Sequence, residues 1–133
     1  SGTFRHVLAV SKKGRVFGQG SNEYNQLGID EEIEGTSSFI EISSLDKYEI
    51  RAAYAGSGHS LFETREGKIL SCGYNGFGEL LLSSGPSEDV YSPAETTITS
   101  GATFCIAGCG FSVVFTGSKP PPNTPNTRIQ KYE

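Results

Sequence analysis

The chain has 133 residues, of which 35% are hydrophobic and seventeen are glycine, with a formal charge of −4. That length suits one modest domain, and a glycine share nearly double the roughly 7% average signals many tight turns. The eleven basic residues form no run or stripe, which argues against direct nucleic-acid binding, and no apolar stretch is long enough to span a membrane.

Taken in order, "HVLAV" (His6 to Val10) is a short β-rich segment followed by the polar turn "SKKG". "RVFGQG" returns as a second strand, since a closing Gly supplies the positive φ that a hairpin connection needs. The loop "GSNEYNQLG" (Gly20 to Gly28) follows, then the acidic run "DEEIE", which reads as a solvated loop. "SFIEIS" (Ser38 to Ser43) is a third strand. "SSLDKYEIRAAY" holds the best helical spacing, with Ser44 as a cap, but reads as loop then strand, ending in "IRAAYAG" (Ile50 to Gly56). "HSLFET", "KILSCG", "AETTI" and "TFCIAG" continue the series, with "GYNGFGELL" (Gly73 to Leu81) between the second and third of these.

The chain repeats itself. "HVLAVSKKGRVFGQGSNEYNQLGI" aligns without a gap on "HSLFETREGKILSCGYNGFGELLL", so that His6 falls on His59, Gly20 on Gly73, Asn22 on Asn75 and Leu27 on Leu80. "AGSGHSLFET" then recurs as "AGCGFSVVFT", Ala107 to Thr116. About four strands per fifty residues is the content of one propeller blade. The fold expected is all-β: a partial β-propeller of two four-stranded blades plus the opening strand of a third. Repeat copies cover about 2–54, 55–106 and 107–118, and a Pro-rich tail or linker covers 119–133. That tail should run extended; its "PPPNTP" also has the spacing of a Pro-motif ligand.

The recurring loop solves a packing problem once per blade. Gly20 and Gly73 let the backbone turn where a Cβ would clash, and Asn22 and Asn75 bond their own backbone as Asx-turns. Tyr24 and Phe77, with Leu27 and Leu80, fold back over the blade edge.

These segments resemble the regulator of chromosome condensation repeat family, whose pattern is a small-Gly-x-x-His-Ser strand, a turn ending in Gly, and a Gly-x-Asn-x-x-Gly-Gln-Leu-Gly loop. Here Asn25 stands for a Gly, Glu79 for the Gln, Leu81 for the last Gly and Phe111 for the His. The resemblance covers roughly residues 2 to 117. It implies a seven-bladed propeller serving as a protein–protein interaction module. Its founding member is a nucleotide exchange factor for the small GTPase Ran, so exchange on a Ran-like GTPase is the alternative function. In that member several repeats carry an acidic residue just before the His. The matching Arg5, Gly58 and Gly110 are not acidic. The rim candidates for a partner are Arg5, His6, Ser57 and His59; the plainer reading is that both histidines bond neighbouring backbone and hold the turn.

Two and a half repeats cannot close a ring. Each open blade face exposes roughly 500 Å² of apolar surface, and two wet faces forfeit on the order of 25 kcal/mol. Even halved for a compact unfolded state, that rivals the ~5–15 kcal/mol stability of a domain. Further blades of the same chain, or self-association into a homo-oligomer, are expected to cover them. The partner expected is a protein, a small GTPase among the candidates, with no direct nucleic acid and no membrane.

No catalytic, metal or cofactor site emerges. "GQG" and "GSG" lack the spacing of a phosphate loop, no Gly-x-Ser-x-Gly elbow occurs, and the histidines occupy equivalent repeat positions. Cys72, Cys105 and Cys109 form no CxxC. Cys105 and Cys109 read as reduced buried thiols, which places the protein inside the cell, in cytoplasm or nucleus.

Overall fold

The computed structural model describes residues 6–29 and 31–117. Nine strands follow one another: β1 His6–Val10, β2 Val16–Ser21, β3 Gly35–Glu41, β4 Ile50–Ala55, β5 His59–Thr64, β6 Ile69–Gly73, β7 Val90–Glu95, β8 Ala102–Ala107 and β9 Ser112–Thr116. One 3₁₀ turn, Ser43–Leu45, is the helical content of the described residues. Sequence neighbours pair antiparallel in three sheets, β1-β2-β3, β4-β5-β6-β7 and β8-β9. The protein is an all-β partial propeller, as the repeat implies.

The grouping of strands differs from the expected two four-stranded blades plus one opening strand. Among the described residues the sheets hold three, four and two strands. The cause is the turn at Gly56–Gly58, where the Gly56 N–H donates to the His59 carbonyl at 2.9 Å and folds β4 straight back onto β5. The β3–β4 connection runs through the 3₁₀ turn to the next sheet. A blade therefore begins one strand ahead of the sequence repeat, and the third sheet shows two strands rather than one.

The sheets bury their side chains against one another. Val16, Ile42, Leu45, Ile50, Phe62, Leu70 and Cys72 form the core between the first and second sheets, with Leu8 and Val10 of β1 packed against them. Leu61, Ile69, Ala102 and Cys105 form the core between the second and third. All six residues of β5 are buried. Successive strand residues point to opposite faces, so Ser60 and Phe62 meet the first sheet while His59 and Leu61 meet the third. Among the described residues the third sheet has no such cover on its far side: Val114 packs inward, but Phe111, Val113 and Phe115 are exposed at 51%, 40% and 45%.

The second interface also buries a charge. Glu63 is 1% exposed, and its Oε2 accepts from Arg51 Nε at 3.1 Å and from the Tyr54 hydroxyl at 3.4 Å. Arg51 Nη2 donates to the Ala102 carbonyl at 2.9 Å, tying the pair to β8. Burial first, and then the Glu63 charge, push the Tyr54 hydroxyl well above its ordinary pKa.

Cys72 and Cys105 are buried and in no disulfide, and burial pushes the Cys105 thiol up to about 12. Cys109, expected to be buried, is exposed, because it sits in the β8–β9 turn between Gly108 and Gly110 rather than in a strand. No helix of the described residues is long and apolar enough to cross a membrane.

Gly20, next to last in β2, and Gly73, at the end of β6, have φ 111° and 109°, and face His6 and His59 across their strand pairs. A Cβ at Gly73 would stand 2.8 Å from the His59 Cα, so backbone strain and a backbone collision coincide there. Gly73→Ala is expected to cost on the order of 3 kcal/mol, read as a lower urea midpoint at unchanged m-value.

Candidate functional site: a rim of repeated loops

The loops joining β2 to β3, β4 to β5, β6 to β7 and β8 to β9 lie at one end of the strands and form one rim. Its frame is set by the repeated asparagines. Asn22 Oδ1 accepts the Leu27 N–H at 2.9 Å, and Asn22 Nδ2 donates to the Ile33 carbonyl at 2.7 Å. Asn75 Oδ1 accepts the Leu80 N–H at 3.2 Å, and its Nδ2 donates to the Gly85 carbonyl at 3.1 Å and Ser87 Oγ at 2.6 Å. These bonds reach farther along the chain than the local Asx-turn expected, because each asparagine ties together both arms of a long loop. Gln26 and Glu79 add a second brace, accepting the Tyr24 and Phe77 N–H groups, each at 2.9 Å.

Backbone angles repeat as closely as the bonds. Asn25 (φ 61°) occupies the place of Gly78 (φ 81°), and Leu81 (φ 58°) the place of Gly28 (φ 64°). Asparagine tolerates this region; leucine is strained there.

Leu27 and Leu80 are fully buried, as expected, but Phe77 is 73% exposed rather than folded over the blade edge. The reason is an aromatic ridge. Tyr24 meets Tyr74 edge-on at 5.3 Å between centroids, and Tyr74 meets Phe77 at 5.9 Å. A Cβ on Gly58 would touch the Tyr24 ring at 3.4 Å, and one on Gly110 would crowd the Phe77 ring at 3.1 Å. Each loop aromatic thus lies across the residue before the His position of the following blade. In sequence, the signal for this contact is the pairing of an aromatic in one repeat with a glycine in the next.

Of the residues expected to meet a partner, Arg5 lies outside the described residues. Ser57 is exposed, and its N–H donates to the Gly108 carbonyl at 3.1 Å. His6 is 8% exposed and His59 is fully buried. His6 Nε2 bonds Ser60 Oγ at 2.7 Å, and His59 Nε2 bonds Ser112 Oγ at 2.8 Å. The Ser60 hydroxyl donates to the Gln26 carbonyl at 2.5 Å, so its oxygen accepts from His6 Nε2–H. Each histidine thus ties its blade to a serine of the next, a longer reach than the neighbouring-backbone bond expected. Among the described residues no group of His, Cys, Asp or Glu is placed to hold a metal ion.

Residues 13–62 match the model of the regulator of chromosome condensation (RCC1) repeat. The chain is 30% identical over 110 residues to the mitochondrial RCC1 domain-containing protein RUG3 of Arabidopsis thaliana, which covers 83% of this chain and 24% of that protein. It is 38% identical over 90 residues to the probable E3 ubiquitin-protein ligase HERC4 of Rattus norvegicus, covering 68% of this chain and 8% of that protein. The crystal structure of Prp20p from Saccharomyces cerevisiae superposes with a TM-score of 0.72 at 23% identity, over 84% of this chain and 29% of that one. The chain thus spans less than a third of each of these proteins, and the structural match shows the fold.

Burial lowers the His59 pKa to about 4, so the folded protein holds the ring neutral at pH 7. The unfolded chain takes up a proton near pH 6.5 and the folded one does not until about 4. Stability from this group is therefore complete above about pH 6.5 and lost as pH falls toward 4, by roughly 3 kcal/mol. His59→Gln is expected to flatten the acid limb of stability against pH in that window, measured by urea titration at each pH.

Proposed function

We propose that this chain, which carries regulator of chromosome condensation repeats, is a propeller segment whose rim holds a protein partner. The observation that carries the reading is the Tyr24–Tyr74–Phe77 ridge, which crosses from blade to blade and leaves Phe77 at 73% exposure. Aromatic side chains held rigidly at a surface are the usual anchors of protein interfaces. Nothing in the reading calls for covalent chemistry or a cofactor. Cys72, Cys105 and Cys109, none of them in a disulfide, support an intracellular setting, cytoplasmic or nuclear.

Exchange on a Ran-like GTPase is the second reading, favoured by the family resemblance and by the Prp20p structure, described together with its binding properties to Gsp1p and histones. The ring positions over Gly58 and Gly110 weigh against it, since an acidic side chain there would meet Tyr24 or Phe77. Arg5, His6, Ser57 and His59 remain the proposed partner-facing set on that reading. The tie of His59 to Ser112 supports instead a part in holding the blades together. The repeat region 1–118 and the tail 119–133 are proposed as separate units. Further blades of the same chain, or a second copy, are proposed to cover the open flank at Phe111, Val113 and Phe115; the mass of the full chain would rise with concentration in the second case alone.

A photo-crosslinking residue placed at Phe77 in the full chain is expected to yield partner adducts, and one at Lys13 on the opposite rim is not. Equal adducts from both positions overturn the reading. GDP release from a Ran-like GTPase is expected to be unchanged by the full chain; acceleration that is lost on changing Arg5 and His59 would favour exchange.

A further inference from the structure

Among the described residues the loops of the two rims carry opposite charge. In the described loops of the ridge-bearing rim, residues 20–29, 31–34, 56–58, 73–89 and 108–111, every charged residue is acidic. Glu23, Glu31, Glu34 and Glu88 are exposed there, and Asp89 is partly so. The opposite rim gathers Lys12, Lys13, Arg15, Lys47, Arg65 and Lys68, against Asp46, Glu49 and Glu66. Ion pairs among the described residues, Arg15–Glu41, Arg51–Glu63, Arg65–Glu49 and Lys68–Glu95, lie on the strands and the opposite rim. Burial first, and then the Glu79 charge, hold the Asp89 carboxyl above its usual range.

We infer that the acidic, aromatic rim receives an extended, arginine-bearing segment of a protein partner. This rests on the interaction reading above and names the chemistry of what is held. Charge alone does not select arginine; the ridge does. A guanidinium is planar, weakly hydrated and stacks on aromatic faces, while its N–H groups remain available to carboxylates. Phe77 and Tyr74 offer the rings, and Glu23, Glu88 and Asp89 belong to the same loops. A lysine segment gains the charge attraction with a weaker stacking contribution. An acidic segment is repelled.

The test is fluorescence anisotropy of the full chain with three labelled nonapeptides, alternating Gly with Arg, Lys or Glu. The Arg peptide is expected to bind more tightly than the Lys peptide, and the Glu peptide not at all. Raising salt from about 0.05 to about 0.3 M should weaken the Arg complex several-fold. Phe77→Ser should weaken it roughly tenfold with an unchanged melting curve, because that ring is largely in solvent. Paired Glu23→Lys and Glu88→Lys should weaken it similarly, and Lys13→Glu on the far rim should not. No binding of the Arg peptide, or binding that ignores the rim variants, overturns the inference. If crosslinks still form at position 77 in that event, the interaction reading stands and the basic-segment inference falls; if they vanish as well, both fall.

Discussion

Everything in this molecule depends on sheets covering each other face to face. A β-sheet with one dry and one wet face reads as alternating apolar and polar residues, yet β5 reads "HSLFET" with every position buried. The strand is sandwiched, and each face solves its own problem. Toward the first sheet it sends Ser60 and Phe62; toward the third it sends His59, Leu61 and the Arg51-paired Glu63. The hydrophobic cores lie between the sheets, so each blade's stability is shared with its neighbours. This is the behaviour of quasi-one-dimensional repeat proteins, whose energetics sum over adjacent units.

The polar contacts at these interfaces add direction to that packing. Apolar surfaces slide over one another at little cost, whereas a buried ring nitrogen must find its acceptor. His6 to Ser60 and His59 to Ser112 fix the height of one blade against the next. Above them, the Tyr24 and Phe77 rings reach across the same boundaries onto Gly58 and Gly110. The rim on which a partner would sit is thus laid over the blade boundaries, and its shape is only as constant as the stacking beneath it.

Much of this was legible in the residues. The gapless repeat announced the strands, and Gly20, Gly73, Asn22 and Asn75 marked turns whose backbone angles and bonds now recur nearly unchanged. What the repeat could not convey was phase. Any repeat can be cut anywhere, and the Gly56–Gly58 turn places the blade boundary ahead of β4, a fact of hydrogen bonding. Nor could it show partners between copies. Alignment sets His59 beside His6, while the contact sets His59 beside Ser112, one repeat and one residue on. Phe77 misled for a related reason: aromatic character suggests burial, but the neighbouring Tyr74 and the Gly110 backbone fill the space beneath its ring.

The histidine–serine tie stops at both ends. Where Ser60 and Ser112 stand, the first sheet has Val7, 55% exposed; where His6 and His59 stand, the third has Phe111. Blades of such a chain are consequently not interchangeable beads. A histidine-bearing blade moved in front of Val7 would bury a ring N–H with no oxygen to receive it, and a serine-bearing blade set after Phe111 would spend its hydroxyl on a hydrocarbon ring. The same pair recurs at both described boundaries, so these ties leave inner blades alike but mark where the run ends, and a blade moved past either end is penalised unless its neighbour changes with it.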